Sequence, residues 1–396
     1  MSPLGVHQVR RAASAVRRPQ SPIVSLPRKG GSKTKRGRAL LSYLALPTRY
    51  RAGSRRLRGH PNAWESWAFA EVLRENGYAV DAIDFSSRHG GIAGGPYDLA
   101  IGIGGAMFDV AELVRDGRIH LHFTGSHHAF QNQAEVDRCA EASRRTGCLI
   151  VPRRLITDGE QYDRLASVAD KLTVIGNEVT LRTFPAEWRS RIRPVPVALA
   201  SPVPKVNPVS SRSTSARHRG VLSLSGGGAV LKGVDLAIEV AKKVPTMKLH
   251  LVGDLQGESD FWAAYGSDIE RLPNLEYHGF VPFGTRRFMQ VVDQCEFVLA
   301  PSASEGMSSA VVSAWATGLY PIISPQTGVD VPDGLGLYIP ELTVAGVDEA
   351  IDTALATPWT RLRDARIAGC NLAARRHSRT RRLDEIRADF VQWAGV

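Results

Sequence analysis

Leu222-Ser223-Leu224-Ser225-Gly226-Gly227-Gly228-Ala229-Val230-Leu231-Lys232-Gly233 is an apolar run that empties into three glycines and then a lysine. A short apolar run before glycines reads as a buried strand, and the apolar pattern from Gly233 to Val244 reads as a helix. Glycines let a backbone approach an anion closely, and a helix N-terminus offers unpaired N–H groups with positive potential. The turn therefore has two readings: a phosphate cradle formed by Gly226, Gly227, Gly228 and Lys232, or a tight strand–helix turn with a solvated lysine. It lacks the order of a P-loop, and no acidic residue follows at the distance a nicotinamide site needs.

Outward from this unit the same alternation repeats. Downstream, strands are expected at Lys248–Val252, Leu275–His278, Phe297–Ala300 and Leu319–Ile323. Helices are expected at Phe261–Arg271, Thr285–Gln294, Ser309–Thr317, Val344–Leu355 and Thr380–Trp393. Upstream, strands are expected at Ala39–Leu44, Tyr78–Phe85, Tyr97–Ile103, Ile119–Thr124, Cys148–Val151 and Lys171–Ile175, with a helix from Ala63 to Asn76 capped by Asn62 and closed by Gly77. Alternating strands and helices imply parallel sheets covered on both faces. Ser201–Arg219, with Pro202, Pro204, Pro208 and five serines, interrupts the rhythm and reads as a linker. The expected architecture is α/β with two doubly wound, Rossmann-like domains. Residues 1–36 form a disordered basic tail, 37–200 the first domain, 201–219 the linker and 220–376 the second domain. Residues 377–396 form a C-terminal helix that packs back on the first domain. Ligands of such sheets sit beyond the carboxyl ends of the strands, which puts the site between the domains.

At 396 residues, two domains of about 100–200 residues each are expected. The net charge of +11 is unevenly spread. Residues 1–60 hold 12 Arg and 3 Lys with no acid, whereas the rest has 35 basic against 39 acidic residues. The body is near neutral, so no specific nucleic-acid partner is expected. The basic front suits a solvated tail, a transit peptide or an arm on an anionic membrane or nucleic acid. No run of about 18 apolar residues occurs. Cys139, Cys148, Cys295 and Cys370 are scattered without metal-like spacing and read as reduced thiols of a cytoplasmic protein.

A second segment carries chemistry: Pro301-Ser302-Ala303-Ser304-Glu305-Gly306-Met307-Ser308-Ser309-Ala310, followed by an apolar helix. Backbone N–H groups of Met307, Ser308 and Ser309 suit a phosphate, and Glu305 suits sugar hydroxyls. Alternatively, Ser308 is a plain helix cap and Glu305 a favourable charge near the dipole.

Together the two segments resemble the donor half of retaining GT-B fold glycosyltransferases, the large family with glycogen synthase-like, sucrose synthase-like and bacterial mannosyl- or glucosyltransferase members. The matching positions are the Lys232-Gly233 pair, Ser302, Glu305, Gly306, Ala314, Ala316, Gly318 and the Leu251-Val252-Gly253-Asp254 strand end. The resemblance implies a metal-independent enzyme with no cofactor beyond a nucleotide-sugar substrate, and a glycan, lipid-linked or small-molecule acceptor. It implies catalytic roles for Lys232, Glu305 and His127, the last being the histidine after the strand Ile119–Thr124. His128 is second to it, and His120 and His122 read as packing positions. Two positions depart from the pattern. The second acid of the E-x7-E motif is Ser313, expected to face the donor ribose, and an arginine is replaced by Gly227. A non-catalytic sugar- or nucleotide-binding relative is the alternative. Asn132, Glu135 and Arg138 read as a solvated helix face, and Arg49, Arg51, Arg55, Arg56 and Arg58 as a basic loop suited to an anionic acceptor or surface.

Overall fold

The computed structural model describes residues 23–29, 36–87, 96–108, 114, 117–200 and 220–394. The linker expected over 201–219 and most of the expected tail lie outside the described residues.

Leu40 and Leu41 show why the first sheet is covered twice. Successive side chains of a strand point to opposite faces, and these two leucines enter two separate apolar cores. The strand they belong to, β2 (Arg38–Tyr43), sits within a seven-stranded sheet. The other strands are β1 (Val24–Leu26), β3 (Ala79–Asp84), β4 (Leu99–Gly102), β5 (Arg118–Phe123), β6 (Lys171–Ile175) and β7 (Ile192–Val195), in the order β1-β3-β2-β4-β5-β6-β7. All pairs are parallel except β1 with β3.

The second sheet holds β8 (Gly220–Leu224), β9 (Lys248–Val252), β10 (Leu275–Tyr277), β11 (Phe297–Ala300), β12 (Tyr320–Ile323) and β13 (Leu337–Tyr338). Its order is β10-β9-β8-β11-β12-β13, parallel throughout. Val221 and Leu222 of β8 repeat the two-sided pattern.

Four expectations change. Within the expected tail, Val24–Leu26 pairs antiparallel with β3 and buries Val24. Cys148–Val151 is not a strand: Leu149 is exposed, and the Val151 N–H donates to Asp260 of the second domain at 2.9 Å. The segment bridges the domains, so its apolar residues do not line one sheet. The first helix, Pro61–Glu75, is capped by His60, whose Nδ1 accepts from the Ala63 N–H, and not by Asn62. Pro61 at the first helical position, with its fixed φ, sets that start. A helix at Trp359–Arg376 was not anticipated; Gly369 lets it approach the Trp315 indole closely.

Two helices cross from one domain to the other. The helix His128–Thr146 leaves the first domain and places Cys139 and Ala142 in the core of the second. The last helix, Arg379–Ala394, returns to the first domain, where the buried Arg382 guanidinium grips Glu65 at 2.7 and 3.0 Å.

Candidate active site

The carboxyl ends of both sheets face each other across a cleft of about 700 Å³, and a smaller cavity of about 290 Å³ shares part of its lining. Lys232 and Glu305 line both spaces, and their side chains form an ion pair. Lys232 stands after the glycine turn that follows β8, and Glu305 in the turn that follows β11, 73 residues on. These strands are neighbours, so the sheet order joins the two segments.

The turn carrying Glu305 is docked onto the first domain. Ser126 Oγ donates to the Glu305 carbonyl at 2.6 Å, and Thr180 Oγ1 to the Gly306 carbonyl at 2.9 Å. A Cβ on Gly306 would lie 2.4 Å from the Ile175 carbonyl oxygen and 2.6 Å from that of Thr124. Glycine stands there because two domains meet backbone to backbone.

Beyond Gly306, Met307, Ser308 and Ser309 line the smaller cavity at the start of the helix Ser309–Ala316. Ser308 occupies the cap position, but its hydroxyl makes no capping bond. Its backbone N–H donates to the Thr327 carbonyl at 2.9 Å, so that group is not open to a ligand.

The glycine turn differs from the expected cradle. Gly228 donates to Glu258 Oε1 at 2.7 Å, and Ala229 to both Glu258 oxygens at 3.0 and 3.1 Å. The protein's own carboxylate thus takes the Gly228 amide of the expected cradle, together with that of its neighbour Ala229. Gly226 still lines the smaller cavity, and Gly227 takes a φ of +109°. Glu258 starts the helix Ser259–Arg271, thirty residues away, and nothing in the local pattern announces it.

Ser313 is also placed differently. It is fully buried, and its Oγ accepts from the Ala200 N–H at 3.1 Å. The Ser309–Ala316 helix is apolar almost all round, and Ser313 on it faces Ala200 in the chain leaving the first domain and does not line the cleft or the smaller cavity.

His127 caps the His128–Thr146 helix. Its Nδ1 accepts from the Ala129 N–H at 3.4 Å, so the ring proton is assigned to Nε2, which donates to Asp163 at 3.2 Å. His128 Nε2 reaches the same carboxylate at 3.0 and 3.1 Å. Burial, with His128 as second cause, holds the His127 imidazole below its ordinary pKa. Asp163, from the helix Gly159–Val168, was missed; it completes a His-His-Asp group that spacing did not reveal. A metal on His127 Nε2 would force the ring proton onto Nδ1, against the Ala129 N–H. Metal-bound histidines instead point that second nitrogen at an acceptor. The group fits a hydrogen-bonded cluster better than a metal centre.

His120 and His122 are buried and share Thr173 Oγ1 at 2.7 Å each; His122 also floors the cleft. The face bearing Asn132, Glu135 and Arg138 is not solvated. Glu135 accepts from the Arg153 and Arg154 N–H groups at 2.7–2.8 Å, Asn132 bonds the Ile156 backbone, and Arg138 pairs with Asp235. The five loop arginines are exposed; from the end of that loop, His60 and Asn62 reach the cleft.

Residues 221–357 match the family described as Glycosyl transferases group 1. No curated protein matches the chain. Among solved structures, sucrose-phosphate synthase from Thermosynechococcus elongatus is similar with a TM-score of 0.58 at 15% identity, over 91% of this chain and 100% of that one. Anabaena Alr3699/HepE in complex with UDP-glucose is similar at 0.56 and 14% identity, over 90% and 99%. A mutant of S. aureus TarM in complex with Fondaparinux, alpha-GlcNAc-glycerol and UDP is similar at 0.50 and 12% identity. There the match covers 74% of this chain, which spans only 55% of TarM. The fold is GT-B: two Rossmann-like domains with a cleft between them.

Proposed function

We propose that this chain is a glycosyltransferase moving a sugar from a nucleotide-sugar donor to a glycan, lipid or small-molecule acceptor, with retention at the anomeric carbon and without a metal. The observation that carries the reading is the Lys232–Glu305 pair at the junction of the two cavities, beside the start of the Ser309–Ala316 helix. The GT-B neighbour from Anabaena holds UDP-glucose, which supports a nucleotide-sugar donor here by analogy.

The barrier in such a transfer is departure of a phosphate leaving group. Positive potential fixed where that charge develops lowers it. Lys232 Nζ and the first amides of the Ser309–Ala316 helix supply that potential. A donor phosphate competes with Glu305 for the ammonium, and the released carboxylate accepts hydrogen bonds from the sugar hydroxyls. His127, held by Asp163 with its proton on Nε2, orders the opposite wall against the sugar or the acceptor. The basic front is the part of the chain suited to an anionic membrane. Among the described residues no helix is long and apolar enough to cross one.

A panel of nucleotide sugars tests the reading by thermal shift, since a ligand at about 100 times its Kd stabilises by about 2.7 kcal/mol. Donor hydrolysis over hours follows for any that bind. Lys232→Ala is expected to lower turnover at least about tenfold, about 1.4 kcal/mol of barrier. Unchanged turnover in that variant rejects the assignment. Binding without turnover would establish the second reading, a non-catalytic nucleotide-sugar-binding relative. That reading is favoured by Glu258, which already holds two amides of the glycine turn.

A further inference from the structure

A nucleoside diphosphate brings at least two negative charges to the cleft, and most of the cations there are already engaged. Lys232 is paired with Glu305. Arg153 is paired with Asp260 and lies 4.0 Å from Glu258. The Gly228 and Ala229 amides hold Glu258. Arg154 is different: among the described residues its guanidinium makes no ion pair with a carboxylate, and it lines both the cleft and the smaller cavity together with Lys232.

We propose that Arg154, reaching across from the first domain, is the second diphosphate-binding cation of the donor site. This rests on the nucleotide-sugar reading above.

The segment is built to hold that residue in place. The Arg154 N–H is taken by both oxygens of Glu135, at 2.7 and 2.8 Å, and Glu135 is almost wholly buried. The Arg154 carbonyl accepts from Gln131 Nε2 at 2.6 Å. The backbone is therefore clamped on both sides, while the guanidinium meets no carboxylate among the described residues. Its stem crosses directly over the glycine turn: a Cβ on Gly228 would lie 2.7 Å from Arg154 Cγ. Gly228, at a φ of +74°, thus serves the passage of this arginine as well as the turn.

A guanidinium presents paired N–H donors that match two phosphate oxygens, whereas an ammonium acts as a point charge. With Arg154 on one domain and Lys232 on the other, a diphosphate offers each cation a phosphoryl group of its own, whereas a monophosphate offers one group for both. The site then selects diphosphate donors over monophosphate donors, and it does so through the first domain.

The test is titration calorimetry of wild type, Arg154→Ala and Arg154→Lys with UDP, ADP and GDP and with the corresponding monophosphates. In Arg154→Ala, affinity for the diphosphate that binds wild type is expected to fall about tenfold or more, as for loss of a charge-assisted bond. Monophosphate affinity should change less than about twofold on the same principle, and Arg154→Lys should recover part of the loss. A purely structural role would move both ligands together. An Arg154→Ala protein that keeps its melting temperature and binds diphosphates like wild type overturns the assignment and leaves the donor reading standing. Wild type that binds none of the diphosphates, while the chain is folded, overturns both.

Discussion

Arg138 of the first domain donates to Asp235 of the second at 2.6 Å, and both side chains are buried. Arg145 binds the same carboxylate oxygen. One carboxylate thus holds two guanidiniums across the domain boundary.

Asp235→Ala removes the buried carboxylate from both guanidiniums and leaves them Glu141, at the helix surface, as their shared partner. The variant is therefore expected to destabilise by about 1.5–3 kcal/mol, the worth of hydrogen bonds to a charged group. Urea unfolding of the variant beside wild type measures it, and a loss under about 1 kcal/mol would mean that water reaches the two arginines.

Glu65 supplies a pH dependence. Burial alone would raise its pKa, but Arg382 and then His122 outweigh that and hold it down, from 4.5 to about 2. A carboxylate whose pKa is depressed in the fold stabilises above its unfolded pKa, and that stability is lost as pH falls toward the folded value. The contribution, about 3 kcal/mol in order of magnitude, is expected to disappear between about pH 4.5 and pH 2. Acid unfolding of wild type and Glu65→Gln checks it: the variant should be less stable at pH 7 and show a shallower acid slope.

Ser313→Glu should not tighten donor binding. The position is buried against the Ala200 N–H, so the new carboxylate would be desolvated without a cation among the described contacts of Ser313. A buried uncompensated charge costs several kcal/mol. The expected result is a lower melting temperature with donor affinity unchanged in whatever protein folds; tighter binding would show that this helix face turns toward the ribose.

Cutting the chain at residue 36 removes β1. Val24 is buried in the first-domain core, and Ser25 Oγ donates to Asp81 at 2.6 Å. Burying one valine contributes about 1.5–3 kcal/mol. A chain starting at 37 is therefore expected to melt several degrees below one starting at 23, as differential scanning calorimetry would record. Equal melting temperatures would show that β1 adds nothing.

The apolar runs through Leu40–Leu41 and Val221–Leu222, the glycine turn before Lys232 and the Glu305-Gly306 turn were legible in the sequence, because each depends on neighbours a few residues apart. Those patterns determined two parallel α/β units and their cleft, and they placed Lys232 and Glu305 at its centre. Other features depended on contacts between residues far apart in the chain. Glu258 fills the glycine turn from the next helix but one. Asp163 closes on His127 from a separate helix, Arg154 arrives from the other domain, and Ser313 is turned toward Ala200. A carboxylate, an arginine or a serine looks the same in sequence whether it meets a backbone amide, a counter-ion or water. Only the packing of the helices on the two sheets, and of the sheets on each other, decided which of those partners each one met.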